Sequence, residues 1–122
     1  MKLAITSSDG KMNSPFSARF GRCDYFLIID TETRDWEAKP NPAASARGGA
    51  GPQAVQFLAN NGVESVISGR FGPNAYSALQ AGGMSALIAE EGTPEELVDQ
   101  YLAGNLKKAQ SASGPGFHGR GR

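Results

Sequence analysis

The chain has 122 residues, of which 39% are hydrophobic and 20% charged, the length and composition of one globular domain that can bury its own core. Its formal net charge is zero, but the four basic residues after Asn105 leave 8 basic against 12 acidic groups in the part before it. An acidic body makes a poor general nucleic-acid binder, because such binding depends on many basic groups that neutralise phosphates. No apolar run is long enough to span a membrane.

In chain order, the first half of the sequence predicts three strands and two loops. A short strand over Lys2–Thr6, a largely buried strand over Asp24–Asp30 and an exposed strand near Asp35–Lys39 are expected, the last two forming a hairpin. The loops over Ser7–Arg22 and Pro40–Gly51 are rich in glycine, proline and small polar residues.

The second half predicts helices alternating with strands. Apolar residues at helical spacing through Val55 and Leu58 predict a first helix that ends at Asn61-Gly62. The later elements are a strand over Val63–Ser68, a helix from Pro73 to Gly82-Gly83, a strand over Met84–Ala89, and a helix that starts with the capping box Thr93-Pro94-Glu95-Glu96.

The element order β-β-β-α-β-α-β-α predicts an α/β fold with a mixed five-stranded sheet, because the later helices connect parallel strands and the early hairpin adds an antiparallel one. Residues 1–106 would form this domain, and residues 107–122 a flexible, basic, Gly-rich tail. Cys23 is the only cysteine, so no disulfide forms within the chain. With no signal peptide evident, we expect a cytoplasmic protein, a monomer or weak dimer.

The predicted sheet places arginines together. Ligands of open α/β sheets bind beyond the carboxyl ends of the parallel strands. If only the second strand is antiparallel, the two loops named above and a third loop over Gly69–Gly72 would meet there. These loops hold four of the seven arginines, each within two residues of a glycine: Arg19, Arg22, Arg47 and Arg70. We therefore predict a local anion site.

The starts of the first two predicted helices support this prediction. Neither has an acidic residue in its opening turn, so their free N–H groups and partial positive charge can attract an anion. For any single loop, tight turns explain the glycines equally well. The candidate binding residues are Arg19, Arg22, Arg47, Gly48, Gly49, Gly51, Gly69, Arg70, Gly72 and Asn74.

Two side chains are candidate metal ligands. Cys23 lies beside Arg22, whose charge could stabilise a thiolate, although a small half-buried residue at a strand start is the simpler interpretation. His118, the only histidine, lies in the tail and could fold over the pocket. One cysteine and one histidine cannot build a closed zinc or four-thiolate iron–sulfur site, so a cluster would arrive preassembled and be held by hydrogen bonds and charge.

Motifs of enzymes are weak in this sequence. No nucleophile has an evident ordered histidine partner, and no third carboxylate joins Asp9 and Asp30 for a two-metal nuclease. The run from Gly49 to Ala54 fits the dinucleotide pattern only formally, because it does not follow a strand directly. We expect a binding protein that is not an enzyme.

Several motifs, taken in order, resemble the dinitrogenase iron-molybdenum cofactor biosynthesis family, which includes NifX, the carboxyl-terminal domain of NifB, and the orange protein that carries a molybdenum-copper sulfide cluster. The resemblance covers about Met1 to Leu106. The motifs are Phe20-Gly21-Arg22-Cys23-Asp24-Tyr25-Phe26, Gly48-Gly49-Ala50-Gly51, Gly62-Val63, Val66-Ile67-Ser68-Gly69, Gly72-Pro73-Asn74-Ala75 and Leu79-Gln80-Ala81-Gly82-Gly83.

The resemblance implies a ribonuclease-H-like three-layer α/β/α fold without nuclease activity. It also implies binding or carrying of a molybdenum-containing sulfide cluster, of molybdenum-copper or iron-molybdenum type, for cofactor assembly or storage, with a cluster donor or acceptor protein as partner. Two alternatives stay open: a phosphate- or nucleotide-binding regulatory domain, and an interaction module that uses the exposed strand near Asp35–Lys39.

Overall fold

The structure, a computed structural model, describes residues 1–110. The strands and helices follow the predicted order and add one strand at the end. In chain order they are β1 (Lys2–Ser7), β2 (Tyr25–Asp30), β3 (Trp36–Pro40), α1 (Ala50–Asn60), β4 (Val63–Ser68), α2 (Pro73–Ala81), β5 (Ser85–Ile88), α3 (Pro94–Leu102) and β6 (Lys107–Lys108).

The strands form one mixed sheet in the order β3-β2-β1-β4-β5-β6. Strands β1, β3, β4 and β5 run parallel to one another, and β2 and β6 run antiparallel to them. The predicted number of five strands is therefore wrong. Lys107 and Lys108, which the sequence assigns to the tail, pair with Ile88 and Leu87. Strand β6 forms through backbone hydrogen bonds to the edge of β5. Because two lysines show no alternation of apolar and polar side chains, the sequence did not predict this strand.

Alternating side chains of the strands are buried on both faces of the sheet, because helices cover both. Helices α1 and α2 pack on one face with residues such as Ala4, Phe26 and Val66. Helix α3 packs on the other face with residues such as Leu3 and Leu27. This arrangement gives three layers. Within residues 1–110, no helix is long and apolar enough to cross a membrane.

Helices α1 and α2 lie close together near their starts. A Cβ atom built on Gly51 would lie 2.8 Å from the Cβ of Ala75 and 3.0 Å from its Cα and N atoms. No real side chain fits at such distances, so glycine is what allows the two helix starts to lie side by side.

We expect Gly51→Ala to destabilise the protein because its methyl group would overlap Ala75. Overpacking costs about 1–3 kcal/mol, which outweighs the gain in helix propensity of about 1 kcal/mol at most. Urea unfolding measures the change. Gly82→Ala is the matched control, since Gly82 has a φ of −85° and its new Cβ would come no closer than 3.4 Å to a neighbour. Equal stability of the two variants would contradict the steric role.

Candidate functional site

The predicted meeting of three loops at one edge of the sheet is confirmed. Ser7 at the end of β1 pairs with Tyr25 at the start of β2, and Tyr25 pairs with Pro40 at the end of β3. Strand β4 runs parallel to β1 and ends at the same edge with Ser68. Residues 8–24, 41–49 and 69–72 therefore leave the sheet beside one another, and all four loop arginines lie in them.

Two buried hydroxyl groups fix the loop after β1 in place. The Ser68 hydroxyl donates to the carbonyl of Ala18 at 3.3 Å, and the Thr6 hydroxyl contacts both the Ser17 carbonyl and the Ser68 hydroxyl. Thr6 and Ser68 are fully buried. The backbone that leads to Arg19 is thereby attached to the ends of β1 and β4.

Two copies of the tripeptide Arg-Phe-Gly lie side by side in this edge, residues 19–21 and residues 70–72. The two arginines form an isolated parallel bridge. The two phenylalanine rings are buried, with their centroids 5.3 Å apart. The two glycines line the same cleft. The repeated tripeptide is a sequence signal that the motif analysis missed.

The cleft lies where the starts of α1 and α2 meet, and its volume is about 250 Å³. Neither helix has a side-chain cap or an acidic residue in its first turn, whereas α3 has the predicted capping box with Glu95 and Glu96. The first N–H groups of α1 and α2 are thus free of side-chain acceptors. The lining residues are Gly21, Arg22, Ala50, Gly51, Gly72, Pro73, Asn74 and Ala75.

Arg22 is the one of the four arginines that lines the cleft, and Asn41 holds its segment in position. Asn41 is 5% exposed. Its Nδ2 group donates to the carbonyls of Gly21 at 3.2 Å and Cys23 at 2.9 Å, and its Oδ1 atom accepts from the Ala43 amide at 2.9 Å. Asn41 was not among the predicted site residues, although an asparagine between a strand and a proline is typical of such side-chain turns.

The four predicted arginines differ in position. Arg19 and Arg70 are adjacent at the bridge, and Arg47 is exposed in the loop before α1. The guanidinium of Arg22 donates to the Ala46 carbonyl. Among residues 1–110, none of these four arginines forms a salt bridge with a carboxylate, whereas Arg34 pairs with Asp99 at 2.7 Å. The positive charge at this edge is therefore not neutralised by ion pairs within that part of the chain.

The predicted glycines have different roles. Gly51 and Gly72 line the cleft, as does Asn74. Gly48 and Gly49 are exposed before α1, and Gly49 has a φ of 70°, a left-handed conformation that favours glycine. Gly69 does not line the cleft, because it packs directly against the backbone of Ala18.

The structure favours the simpler interpretation of Cys23, a buried residue at a strand start, and its role as a metal ligand stays a prediction. Its side chain is 3% exposed, and its Sγ donates to the carbonyl of Phe20 at 3.3 Å. Burial raises the pKa of the thiol to about 12. The thiol is therefore neutral at physiological pH. His118, the other candidate ligand, lies outside the described residues.

The described residues thus define a small α/β domain with a cleft beyond its parallel strands, lined by two helix starts and Arg22. A family model described as dinitrogenase iron-molybdenum cofactor matches residues 1–104. The chain belongs to this family, and the predicted resemblance is confirmed.

Two solved structures and one curated protein are similar to this chain over most of its length. The apo form of the orange protein from Desulfovibrio gigas is 31% identical, with a TM-score of 0.88 over 93% of this chain and 96% of that one. A putative NifB protein from Thermotoga is 36% identical, with a TM-score of 0.82 over 94% of this chain and 98% of that one. An uncharacterised protein of Methanocaldococcus jannaschii is 30% identical over 88% of this chain and 91% of its own length. The relatives point to proteins related to the iron-molybdenum cofactor.

The buried thiol predicts a loss of stability at alkaline pH. In the unfolded chain Cys23 ionises near its ordinary pKa of 9.0, whereas the native thiol keeps its proton up to about 12. The contribution to stability is complete below pH 9.0 and declines as pH rises towards 12, because ionisation favours the unfolded state. Urea unfolding over this range should show the stability difference between wild type and Cys23→Ala shrinking. A constant difference would contradict the raised pKa.

Proposed function

We propose that this protein binds and carries a preassembled anionic metal–sulfide cluster, molybdenum with copper or iron, for cofactor assembly or storage, and that it catalyses no reaction itself. The observation that carries this proposal is the convergence of two helix starts without side-chain caps, together with Arg22, on one glycine-lined cleft. Backbone N–H groups and guanidinium groups suit a ligand whose outer atoms are negatively charged hydrogen-bond acceptors, as cluster sulfides are.

The donor set fits a cluster that keeps its own sulfide ligands. Within residues 1–110, no three side chains of histidine, cysteine, aspartate or glutamate lie close enough together to hold a metal ion, and Cys23 is a neutral, buried thiol. Direct ligation by a set of side chains in this part of the chain is therefore not part of the proposal. The protein would contact the outer atoms of the cluster through hydrogen bonds and charge.

The family description and the orange protein among the structural relatives support molybdenum or iron as the metal. We further propose that a donor or acceptor protein exchanges the cluster with this chain, and that the chain works in the cytoplasm. We also propose that the fold is of the ribonuclease-H-like type. The sheet order with an antiparallel second strand supports it.

The alternative is a phosphate- or nucleotide-binding regulatory domain, and cleft size bears on the nucleotide part of it. Phosphate suits the same helix starts. A volume of about 250 Å³ lies below the roughly 300–1,000 Å³ typical of pockets for larger organic ligands. The cleft therefore favours a compact anion over a whole nucleotide.

Arg22→Gln should weaken cluster binding while leaving the fold intact, because the Arg22 side chain is exposed and lines the cleft. Loss of one charge-assisted hydrogen bond, about 1.5–3 kcal/mol, corresponds to roughly 10- to 100-fold weaker binding. The measurement is an anaerobic titration with tetrathiomolybdate and copper, followed by charge-transfer absorption. Replacing Arg22, Arg47 and Arg70 together should abolish uptake.

Arg34→Gln is the matched control for this titration. Arg34 is an exposed arginine too, but it pairs with Asp99 on α3, on the other face of the sheet from α1 and α2. Replacing Arg34 should leave the affinity for the cluster unchanged. Unchanged affinity in the triple variant would reject the cleft as the binding site. Stabilisation against heat by nucleotides, without uptake of the cluster, would favour the alternative.

Gly72→Ala tests the cleft without removing any charge. A Cβ atom at Gly72 would meet no protein atom within 4 Å, and the φ of −67° suits any residue. Unfolding free energy should therefore stay within about 1 kcal/mol of wild type, while the added methyl group reduces the space and cluster affinity falls. Gly82→Ala, at the other end of α2, should bind as wild type does. Equal affinity of both variants would show that the cluster does not use this cleft.

A further inference from the structure

We propose that Arg19 and Arg70 form a paired clamp that selects anions carrying two or more negative charges over singly charged anions of the same size. This inference rests on the proposed function and names the charge class of the ligand. Its basis is the position of the two arginines in the fold, together with the lack of carboxylate partners for them among the described residues.

The fold places the two arginines directly beside each other. Arg19 and Arg70 form a parallel bridge, and the Arg70 amide donates to the carbonyl of Ala18 at 3.0 Å. Both side chains are exposed, whereas the phenylalanines that follow them, Phe20 and Phe71, are buried against each other. The buried rings hold the two backbone segments together and leave both guanidinium groups on the solvent side.

The pairing of the two arginine segments depends on Gly69 and Ser68. A Cβ atom on Gly69 would lie 2.7 Å from the Cβ of Ala18 and 2.9 Å from its Cα, so only glycine allows the two segments to pair. The buried Ser68 hydroxyl adds a hydrogen bond to the Ala18 carbonyl. The position of Arg19 beside Arg70 is thus determined by packing and buried hydrogen bonds, and does not result from two mobile side chains meeting by chance.

Two like charges held side by side repel each other. Within residues 1–110, neither Arg19 nor Arg70 has a carboxylate partner that would relieve the repulsion. The next residue but one after each arginine, Gly21 or Gly72, lines the cleft. The arginine pair therefore adjoins the proposed binding site, and an anion in the cleft would supply the missing negative charge.

The charge of the ligand then determines how much the two arginines contribute to the binding energy. The electrostatic energy between a ligand and two fixed positive charges scales with the ligand's charge. A doubly charged anion with charge on several outer atoms can interact with both guanidinium groups. A singly charged anion of the same shape gains about half as much electrostatic energy from the pair. The pair thus acts as a specificity determinant, while Arg22 and the helix starts contact both kinds of anion.

Tetrahedral tetrathiometallates test this idea because their charge varies at nearly constant shape. Tetrathiorhenate carries one negative charge and tetrathiotungstate carries two. Wild type should bind tetrathiotungstate at least about tenfold more tightly, and Arg19→Gln/Arg70→Gln should reduce this ratio by about tenfold. The double lysine variant, Arg19→Lys/Arg70→Lys, should retain most of the ratio because it keeps both charges. Anaerobic titration calorimetry at fixed salt concentration gives both dissociation constants.

The control variants distinguish failure of the clamp from failure of the proposed function. Arg22→Gln should weaken binding of both anions, and because it removes one positive charge instead of two it should reduce the ratio less than the double glutamine variant does. Arg34→Gln should change the binding of neither anion. An unchanged ratio in the double glutamine variant, with both anions still dependent on Arg22, would overturn the clamp and leave the proposed function standing. If wild type binds neither anion, uptake in the titration with tetrathiomolybdate and copper would overturn the clamp alone, and no uptake there would overturn the proposed function as well. Urea midpoints of the glutamine variants should equal or exceed that of wild type, and lower midpoints would show that the arginines serve packing instead.

Discussion

Gly69 lies so close to Ala18 that no other residue fits there, and the rest of the site depends on this contact. It allows the chain after β1 to pair with the chain after β4, which aligns two Arg-Phe-Gly segments. The two aromatic rings close the core beneath the edge, and the two glycines line the cleft above it. One steric constraint thus connects the hydrophobic core with a polar, positively charged surface.

A second close approach, between Gly51 and Ala75, brings the starts of α1 and α2 together at the same place. A single helix start offers a weak attraction for an anion, because its partial charge is screened by solvent. Two adjacent starts with no acidic residue in either first turn add their contributions. Helix α3 differs because its capping box satisfies its first N–H groups with its own side chains. The partial positive charge of the helix starts is therefore left without acidic side chains at α1 and α2, and is balanced by Glu95 and Glu96 at α3.

Sequence patterns predicted the features that depend on local periodicity and on turn residues. They located the strands and helices up to α3, and they grouped the arginine-containing loops at one edge. They missed β6, because Lys107 and Lys108 pair through the backbone alone. They also missed Asn41, since its importance comes from hydrogen bonds to residues about 20 positions earlier. The sequence left the ionisation of Cys23 open between a thiolate beside Arg22 and a half-buried thiol, because the extent of burial, which raises its pKa, depends on tertiary packing.

A neutral thiol and exposed arginines suit a carrier better than a permanent cofactor site. A thiolate bond to a metal must break before a cluster can leave, and the buried thiol of Cys23 offers no such bond. Hydrogen bonds from helix starts and guanidinium groups are individually weak in water, and several of them together can hold a compact anion reversibly. In the proposed function, the surface that neutralises the cluster also leaves it accessible to the protein that receives it. The exposure of Arg19, Arg22, Arg47 and Arg70 is consistent with such a transfer.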